Sequence, residues 1–407
     1  MAADATIGDR VAEVRTRRAL TQEELAERAG VSVATIRKLE RNERTSVRMV
    51  TLHRLATAMA VTTSDLLRPA PSLSGPPSEP DHAAVRELRR ALTPPRSVTG
   101  VLLADEDTEA PTLEGLRQSL HVANGLYVGS EYSASVKGVS TLAAELRIAA
   151  QVLPEPAHGE LLRLTSQYYD LTALLLTQLR LFDLAYLALE RAVESAERAG
   201  DTLLVAQSVT TQAFLLLRQG RLDEAAQVAQ VTAEVIEPRF STSNPREIAM
   251  WGHLHLWASA ALARDSQHEA ADEALSLAEA AASRVARHER GLGMPFGPNR
   301  VAIQAVENEV VQGRPDRALV LAERIRTDDE DTVRRLCRYL LNVASAQTDL
   351  RQYAEATETL VRIRTVVPEW LRYQRFAAAT VSRLIRARKR ALPPELRDLA
   401  DFFAVQA

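Results

Sequence analysis

The chain has 407 residues, carries 50 Lys and Arg against 53 Asp and Glu for a net charge of −3, and is 46% apolar but only 4% aromatic. That length exceeds one ordinary domain and suggests two or three, and the near-neutral balance excludes a polycation that coats nucleic acid. Plentiful Ala and Leu with few aromatics favour packed helices over sheets, so the expected fold class is all-α.

The single cysteine, Cys337, excludes an intramolecular disulfide framework and fits a reducing cytosol. No apolar run reaches the roughly 18 residues needed to span a bilayer. The opening MAADATIGDR lacks the basic and apolar regions of a signal peptide. A cytoplasmic chain with no membrane partner is expected. From Met1 to Arg68 there are 12 Arg and Lys against 9 Asp and Glu, so the positive excess sits at the N-terminal end.

In chain order, a helix from Ile7 to Arg18 offers Val11 and Val14 to a core. Thr21 with Glu24 forms a capping box, starting a helix at Gln22. Gly30 suits the left-handed residue that ends it. Ser32 then caps a helix from Val33 to about Asn42. Leu25, Ala26, Val31, Ile36 and Leu39 are spaced to pack between the two. A helix from Val47 to Met59 adds Leu52, Leu55 and Ala56, and Leu66 and Leu67 close a fifth short helix.

The stretch LTQEELAERAGVSVATIRKLERNE, followed by LHRLATAMAVTTSDLL, resembles the phage-repressor-type helix-turn-helix of the XRE family over about Thr6 to Leu67. The resemblance implies that the second helix of the pair enters the DNA major groove. Carried onto this chain, Val33, Ala34 and Lys38 take the base-reading positions, with Arg37 beside them. Gln22 matches a phosphate-binding glutamine at a helix N-terminus, where N–H groups and dipole favour an anion. Thr21, Arg41 and Arg44 fall where the family touches DNA backbone, and Ser32 belongs to the same DNA-facing set. Arg15 and Glu40 match an intradomain ion pair. Family members often carry polar residues where this chain has Val33 and Ala34, which suit contact with a thymine methyl.

RPAPSLSGPPSEPDH, Arg68 to His82, holds five prolines and reads as a semi-rigid linker. The expected division is a DNA-binding unit over 1–68, a Pro-rich linker over 69–82 and a helical repeat region over 83–407. A short helix at Ala83 to Leu92 precedes a loop-rich stretch, LTPPRSVTGVLLADEDTEAPT. From Leu113 onward helices alternate with short Gly, Pro or Asp breaks. Five segments align on Ala185, Ala225, Ala270, Ala318 and Ala356, and RQGRLDEA and VQGRPDRA are near copies of one turn and helix start. One such helical hairpin cannot bury its own apolar face, so neighbours stack. The region resembles the tetratricopeptide repeat in a loosened form, with longer helices and most of the family's aromatic and terminal Pro positions missing.

Chemistry-bearing patterns are few. HEAAD at His268 places Asp272 where a zinc-protease helix needs histidine. In WGHLHLW, Trp251 and His255 share one helix face while His253 and Trp257 share another, so the two histidines diverge. Cys337 has no partner cysteine and reads as a buried small residue. GLGMPFGPN, Gly291 to Asn299, lacks the preceding strand of a phosphate-cradling loop, and its MPFGPN portion resembles a stretch found at this place in XRE–solenoid regulators of GC-rich bacteria. RLIRARKR, Arg383 to Arg390, is a second basic patch with two readings, contact with DNA backbone or, the commoner case, a solvated helix face. No nucleophile–base–acid set is present, so neither an enzyme, a metal nor a cofactor is expected.

Regulators joining such a head to such repeats form a group, and some bind signalling peptides in the repeat groove. The resemblance therefore implies a bacterial, homodimeric transcription regulator with double-stranded DNA as partner and a peptide or small molecule as effector. A scaffold whose repeats bind a partner protein is the alternative. Side chains that break the Ala/Leu monotony are the effector candidates: Trp251, His255, Phe296, Asn299, Arg300, Tyr339, Asn342 and Trp370. Packing is the competing role for the large ones, and N-capping for Asn299.

Overall fold

In a computed structural model, the structure describes residues 6–18, 20–42, 47, 49–59, 61, 63, 66, 79–94, 111–285, 296–325, 333–387 and 392–405. Among these residues the fold is all-α, with no strands. The first helices are α1 (Ile7–Arg17), α2 (Gln22–Ala29), α3 (Val33–Glu40) and α4 (Met49–Ala58). Thr6 and Thr21 each close a capping box, with Asp9 and Glu24 respectively, and the Ser32 hydroxyl accepts from the Thr35 amide. Gly30 ends α2 with φ 61°, the left-handed conformation expected of it. α3 stops at Glu40, short of Asn42, because Asn42 turns left-handed at φ 58°. The four helices bury Val11, Leu25, Ile36, Leu39, Leu52, Leu55, Met59 and Leu66 in one core. α1 crosses close to the end of α3: a Cβ on Gly8 would lie 2.0 Å from the Leu39 carbonyl oxygen. The fifth short helix expected around Leu66 and Leu67 falls mostly outside the described residues, although Leu66 is buried in this core.

Helix α5 (Glu79–Leu92) begins four residues earlier than expected, inside the Pro-rich stretch. Pro80 sits in its first turn, where a missing N–H breaks no helical bond. Leu88 and Leu92 join the main core. Arg147 donates to the Ala91 carbonyl at 3.1 Å and Arg191 to the Leu92 carbonyl, covering acceptors that the end of a helix leaves over. The rest of the stretch expected as linker, and most of the loop-rich segment after α5, lie outside the described residues.

The remaining helices are α6 (Leu113–Val128), α7 (Tyr132–Val152), α8 (His158–Gln178), α9 (Phe182–Arg198), α10 (Thr202–Gln219), α11 (Leu222–Val235), α12 (Pro245–Arg264), α13 (His268–Ala282), α14 (Pro298–Val311), α15 (Pro315–Ala322), α16 (Val333–Asp349), α17 (Tyr353–Val366), α18 (Pro368–Arg372), α19 (Arg375–Ala387) and α20 (Pro394–Phe403). Hairpins α6–α7, α8–α9, α10–α11, α12–α13, α14–α15 and α16–α17 share one turn. A single residue takes positive φ: Ser130, Arg180, Gly220, Ser266, Gly313 and Arg351 in order. The amide after it donates five residues back, as Glu131 to Leu126, Leu181 to Leu176, Arg221 to Leu216, Gln267 to Leu262, Arg314 to Glu309 and Gln352 to Gln347. This is the Schellman closure of a helix end.

The fourth residue of each following helix is small and fully buried: Ser135, Ala185, Ala225, Ala271, Ala318 and Ala356. Two corrections follow. The aligned alanine in α13 is Ala271, because Ala270 is only partly buried, and a further unit at Ser135 went unrecognised because its small residue is not alanine.

The array curls back on itself. Glu369 of α18 accepts from the Ser133 amide at 3.2 Å and from its hydroxyl at 3.0 Å, and Tyr373 meets Tyr132 edge-on at 6.0 Å. Apolar side chains from α5 to α10 and from α16 to α20 consequently share one core.

Candidate nucleic-acid interface

The Val33–Glu40 helix divides by its own periodicity. Ile36 and Leu39 are fully buried and Val33 is half-buried against the same core. Ala34, Arg37, Lys38 and Arg41, spaced i, i+3, i+4 and i+7, are exposed together on the opposite face. Val33 thus contributes to packing as well as to the rim of this face. Thr21 and Ser32 are exposed, each with its hydroxyl engaged as an N-cap. Arg44 lies outside the described residues.

Glu40 organises the helix pair. Its Oε1 accepts from Arg15 Nε at 2.7 Å, and its Oε2 accepts from Gln22 Nε2 at 2.6 Å and from Arg15 Nη2 at 3.1 Å. The expected Arg15–Glu40 pair is present, and it holds the Arg15 guanidinium above its usual pKa. Arg15 also donates to the Leu20 carbonyl at 2.8 Å, tying α1 to the entrance of α2. The bond to Gln22 was not legible in the sequence. It fixes the amide of the residue that opens α2, whose first backbone N–H groups point outward from the helix end. Arg37 donates to Gln22 Oε1 at 3.3 Å and to Glu23 Oε1 at 2.7 Å, and the Arg37–Glu23 pair is exposed, so it holds the guanidinium only weakly. Asn42 was also missed: its Nδ2 donates to Asp9 at 3.1 Å while its Oδ1 accepts from Thr6, pinning the end of α3 to the start of α1. Asn tolerates the left-handed region unusually well, and that was the available signal. The product is a rigid, braced helix presenting a small apolar residue and three cations on one exposed stripe.

Residues 11–66 match the helix-turn-helix family model. This segment is an XRE-type helix-turn-helix domain. It is a DNA-binding type of domain, and that family is generally non-enzymatic. No curated protein and no solved structure matches the chain. No helix among the described residues is long and apolar enough to cross a membrane.

The helix-turn-helix domain touches the array through His53 of α4 and through Thr63. His53 bonds Thr63 Oγ1 at 3.1 Å through Nδ1 and Asp265 Oδ1 at 3.2 Å through Nε2. Gly220, in the turn between α10 and α11, lies beside Thr63, whose nearest atoms would be 3.8 Å from a Cβ placed there.

The effector candidates separate by burial. Trp370 and Phe296 are fully buried core side chains, and Trp251 packs inside the α12–α13 core. Gly252 makes the space for Phe296, since a Cβ there would come within 2.2 Å of the ring. Tyr339 is buried and donates to the Ala322 carbonyl at 3.0 Å, and Asn342 is buried. His255 is half-buried and meets Trp251 edge-on at 4.4 Å, as their shared face requires, and desolvation pushes its pKa down to about 4. Asn299 is partly exposed but is not the N-cap; Gly297 is, with Pro298 opening α14. Arg300 starts a polar chain absent from the sequence reading: it donates to Gln304 at 3.3 Å, Gln304 to Asn308 at 3.0 Å, Asn308 to Ser259 at 2.7 Å and Ser259 to the Ala271 carbonyl at 2.8 Å. Arg383 of the basic C-terminal run is held by Asp349 at 2.8 Å and Ser345 at 2.9 Å, and residues 388–390 lie outside the described residues. Cys337 is buried, and desolvation raises its pKa to about 11.

Proposed function

We propose that the chain is a sequence-specific, homodimeric transcription regulator of the cytoplasm, in which the tetratricopeptide-like array over about 83–407 receives a peptide or small-molecule signal. The observation that carries this reading is the helix-turn-helix match, together with the Ala34, Arg37, Lys38 and Arg41 stripe on a helix braced by Glu40. Lys38 and Arg37 donate to base edges, Ala34 and the rim of Val33 meet thymine methyls, and Thr21, Gln22, Ser32, Arg41 and Arg44 serve the phosphates. A single such domain binds weakly, so two copies engage half-sites roughly 34 Å apart. The His53–Asp265 contact gives a change in the array a direct path to the DNA-binding helices. His255, Asn299 and Arg300 are the effector candidates with accessible surface to contribute.

The test is selection of sheared genomic fragments by the purified full-length protein at moderate salt. A few enriched sites sharing a paired motif are expected, and Lys38→Ala removes the enrichment. Uniform recovery that vanishes with added salt would leave only backbone electrostatics and overturn the reading.

A further inference from the structure

Two helix ends of the array meet the helix-turn-helix domain. Gly220 closes α10 and Asp265 closes α12, so each belongs to the same kind of turn, in consecutive hairpins. Thr63, 8% exposed, packs beside Gly220, where its Cβ and Oγ1 would lie 3.8 Å from an added Cβ. His53 reaches Asp265 Oδ1 at 3.2 Å through Nε2. A carboxylate only accepts, so Nε2 carries the hydrogen, and Nδ1 of a neutral ring then accepts from the Thr63 hydroxyl at 3.1 Å. Gln267 Nε2 donates to the other Asp265 oxygen at 2.6 Å, which sets the orientation of the carboxylate. His53 and Thr63 are thereby coupled to each other, and together they bridge two hairpins.

Two points of attachment fix the orientation of a rigid body, whereas one would let it pivot. What is fixed extends to the reading helix. α4 buries Leu52 and Leu55 in the same core as Ile36 and Leu39 of α3, and close packing makes the two helices move together. The covalent connection imposes no such orientation: residues 67–78 separate Leu66 from α5, and a stretch of that length can span up to roughly 40 Å. The side chains of His53 and Asp265 are 19% and 22% exposed, so their pairing contributes little to stability. Its consequence is geometric. In a duplex, three extra base pairs turn a half-site by about 100° around the axis, so heads held at one angle meet one spacing.

We infer that the His53–Asp265 and Thr63–Gly220 contacts set the half-site spacing that the protein selects. His53, Thr63 and Asp265 are positioning residues, acting through α4 on α3. This rests on the dimeric regulator reading above and adds the operator geometry that the dimer accepts.

The test offers full-length protein a library in which two copies of the half-site recovered from genomic fragments are separated by spacers covering about one and a half turns of the duplex. The wild type is expected to enrich one spacing, with its one-turn repeat, about tenfold over spacings a few base pairs away. His53→Ala and Asp265→Ala each flatten that preference to about twofold or less, while affinity for an isolated half-site and the melting temperature stay at wild-type values. The double variant is no flatter than either single one, because both remove the same contact. A merely structural role would instead lower melting and half-site affinity with the spacing preference intact. Wild-type preference retained in both variants, or a wild type that accepts every spacing equally, overturns the inference.

A second measurement reads the contact without DNA. Spin labels are placed at Glu27→Cys on α2 and Glu273→Cys on α13, both exposed, in a Cys337→Ala background diluted with unlabelled protein. One narrow distance is expected, broadened by His53→Ala. A broad distribution in the wild type overturns the inference whatever the DNA result. A narrow one that His53→Ala broadens, with no half-site recovered from genomic fragments, overturns the regulator reading and leaves the contact standing as what orients the domain.

Discussion

The helix-turn-helix domain and the helical array handle buried polar groups in opposite ways. In the domain, Glu40, Gln22, Arg15, Asp9, Asn42 and the three N-caps use one another's hydrogen-bonding capacity. Among the described residues, every buried side-chain atom without a partner lies in the array instead, including Ser130, Gln178, Gln207 Oε1, Ser208, Arg218 Nε and Trp257 Nε1. The first region is fixed by hydrogen bonds among its own side chains, while the second is held chiefly by apolar packing around small residues.

The largest effect is expected from Trp370→Ala, which empties a fully buried site at the returning end of the array. About 3–5 kcal/mol of stability is lost. Thermal unfolding followed by circular dichroism should show the array transition fall; if the whole curve moves as one, the two regions are a single cooperative unit.

Lys38→Ala should cost about 1–3 kcal/mol in specific DNA binding, read by gel shift, with melting unchanged. Glu40→Gln comes next. It leaves Arg15 without a charge partner and loosens Gln22, so about 1–2 kcal/mol of domain stability is expected to go. DNA affinity should fall with it, since the Glu40 carboxylate is engaged by Arg15 and Gln22. Unaltered affinity would mean that the clamp does not position the stripe.

Asp170 gives a pH-dependent test inside the array. Burial raises its pKa to about 6, against the bond from Gln207 at 2.8 Å and help from Thr211. Its native state therefore holds the proton more tightly than the unfolded state, and stability from this group falls as pH rises from about 4 to 6. His255, lowered to about 4, works in the opposite sense, because its unfolded state binds the proton more tightly between about 4 and 6.5. Asp170→Asn should stabilise the protein at pH 7 and leave melting that improves with rising pH across that window. A parallel profile in wild type and variant would contradict the assignment. The smallest effect is expected from His53→Gln, about 0–1 kcal/mol, since the bond to Asp265 is only partly shielded. Its readout is whether an effector still alters DNA affinity.

Much of the helix-turn-helix domain was legible because its signals are local. The Thr21–Glu24 box, Gly30, the Ser32 cap and the spacing of Leu25, Ile36 and Leu39 act within a turn or two of helix. The array was legible at Gly220 and Gly313, whose left-handed turns carry glycine, and in its buried alanines. It was less so at Ser130, Arg180, Ser266 and Arg351, which adopt the same conformation without the glycine signal. Likewise Phe296 and Trp370 stood out as aromatic interruptions, yet burial against Gly252 and the array core makes them packing residues.

Caps, periodicity and turn residues couple neighbours three to five positions apart, so the all-α class, the helix-turn-helix and the small-residue repeat are legible in the chain alone. Distant pairings came only with the folded chain: α18 returns to α7, and His53 meets Asp265. Those pairings join positions 236 and 212 residues apart. They depend on the accumulated rotation of every hairpin between them, which no single stretch of sequence encodes.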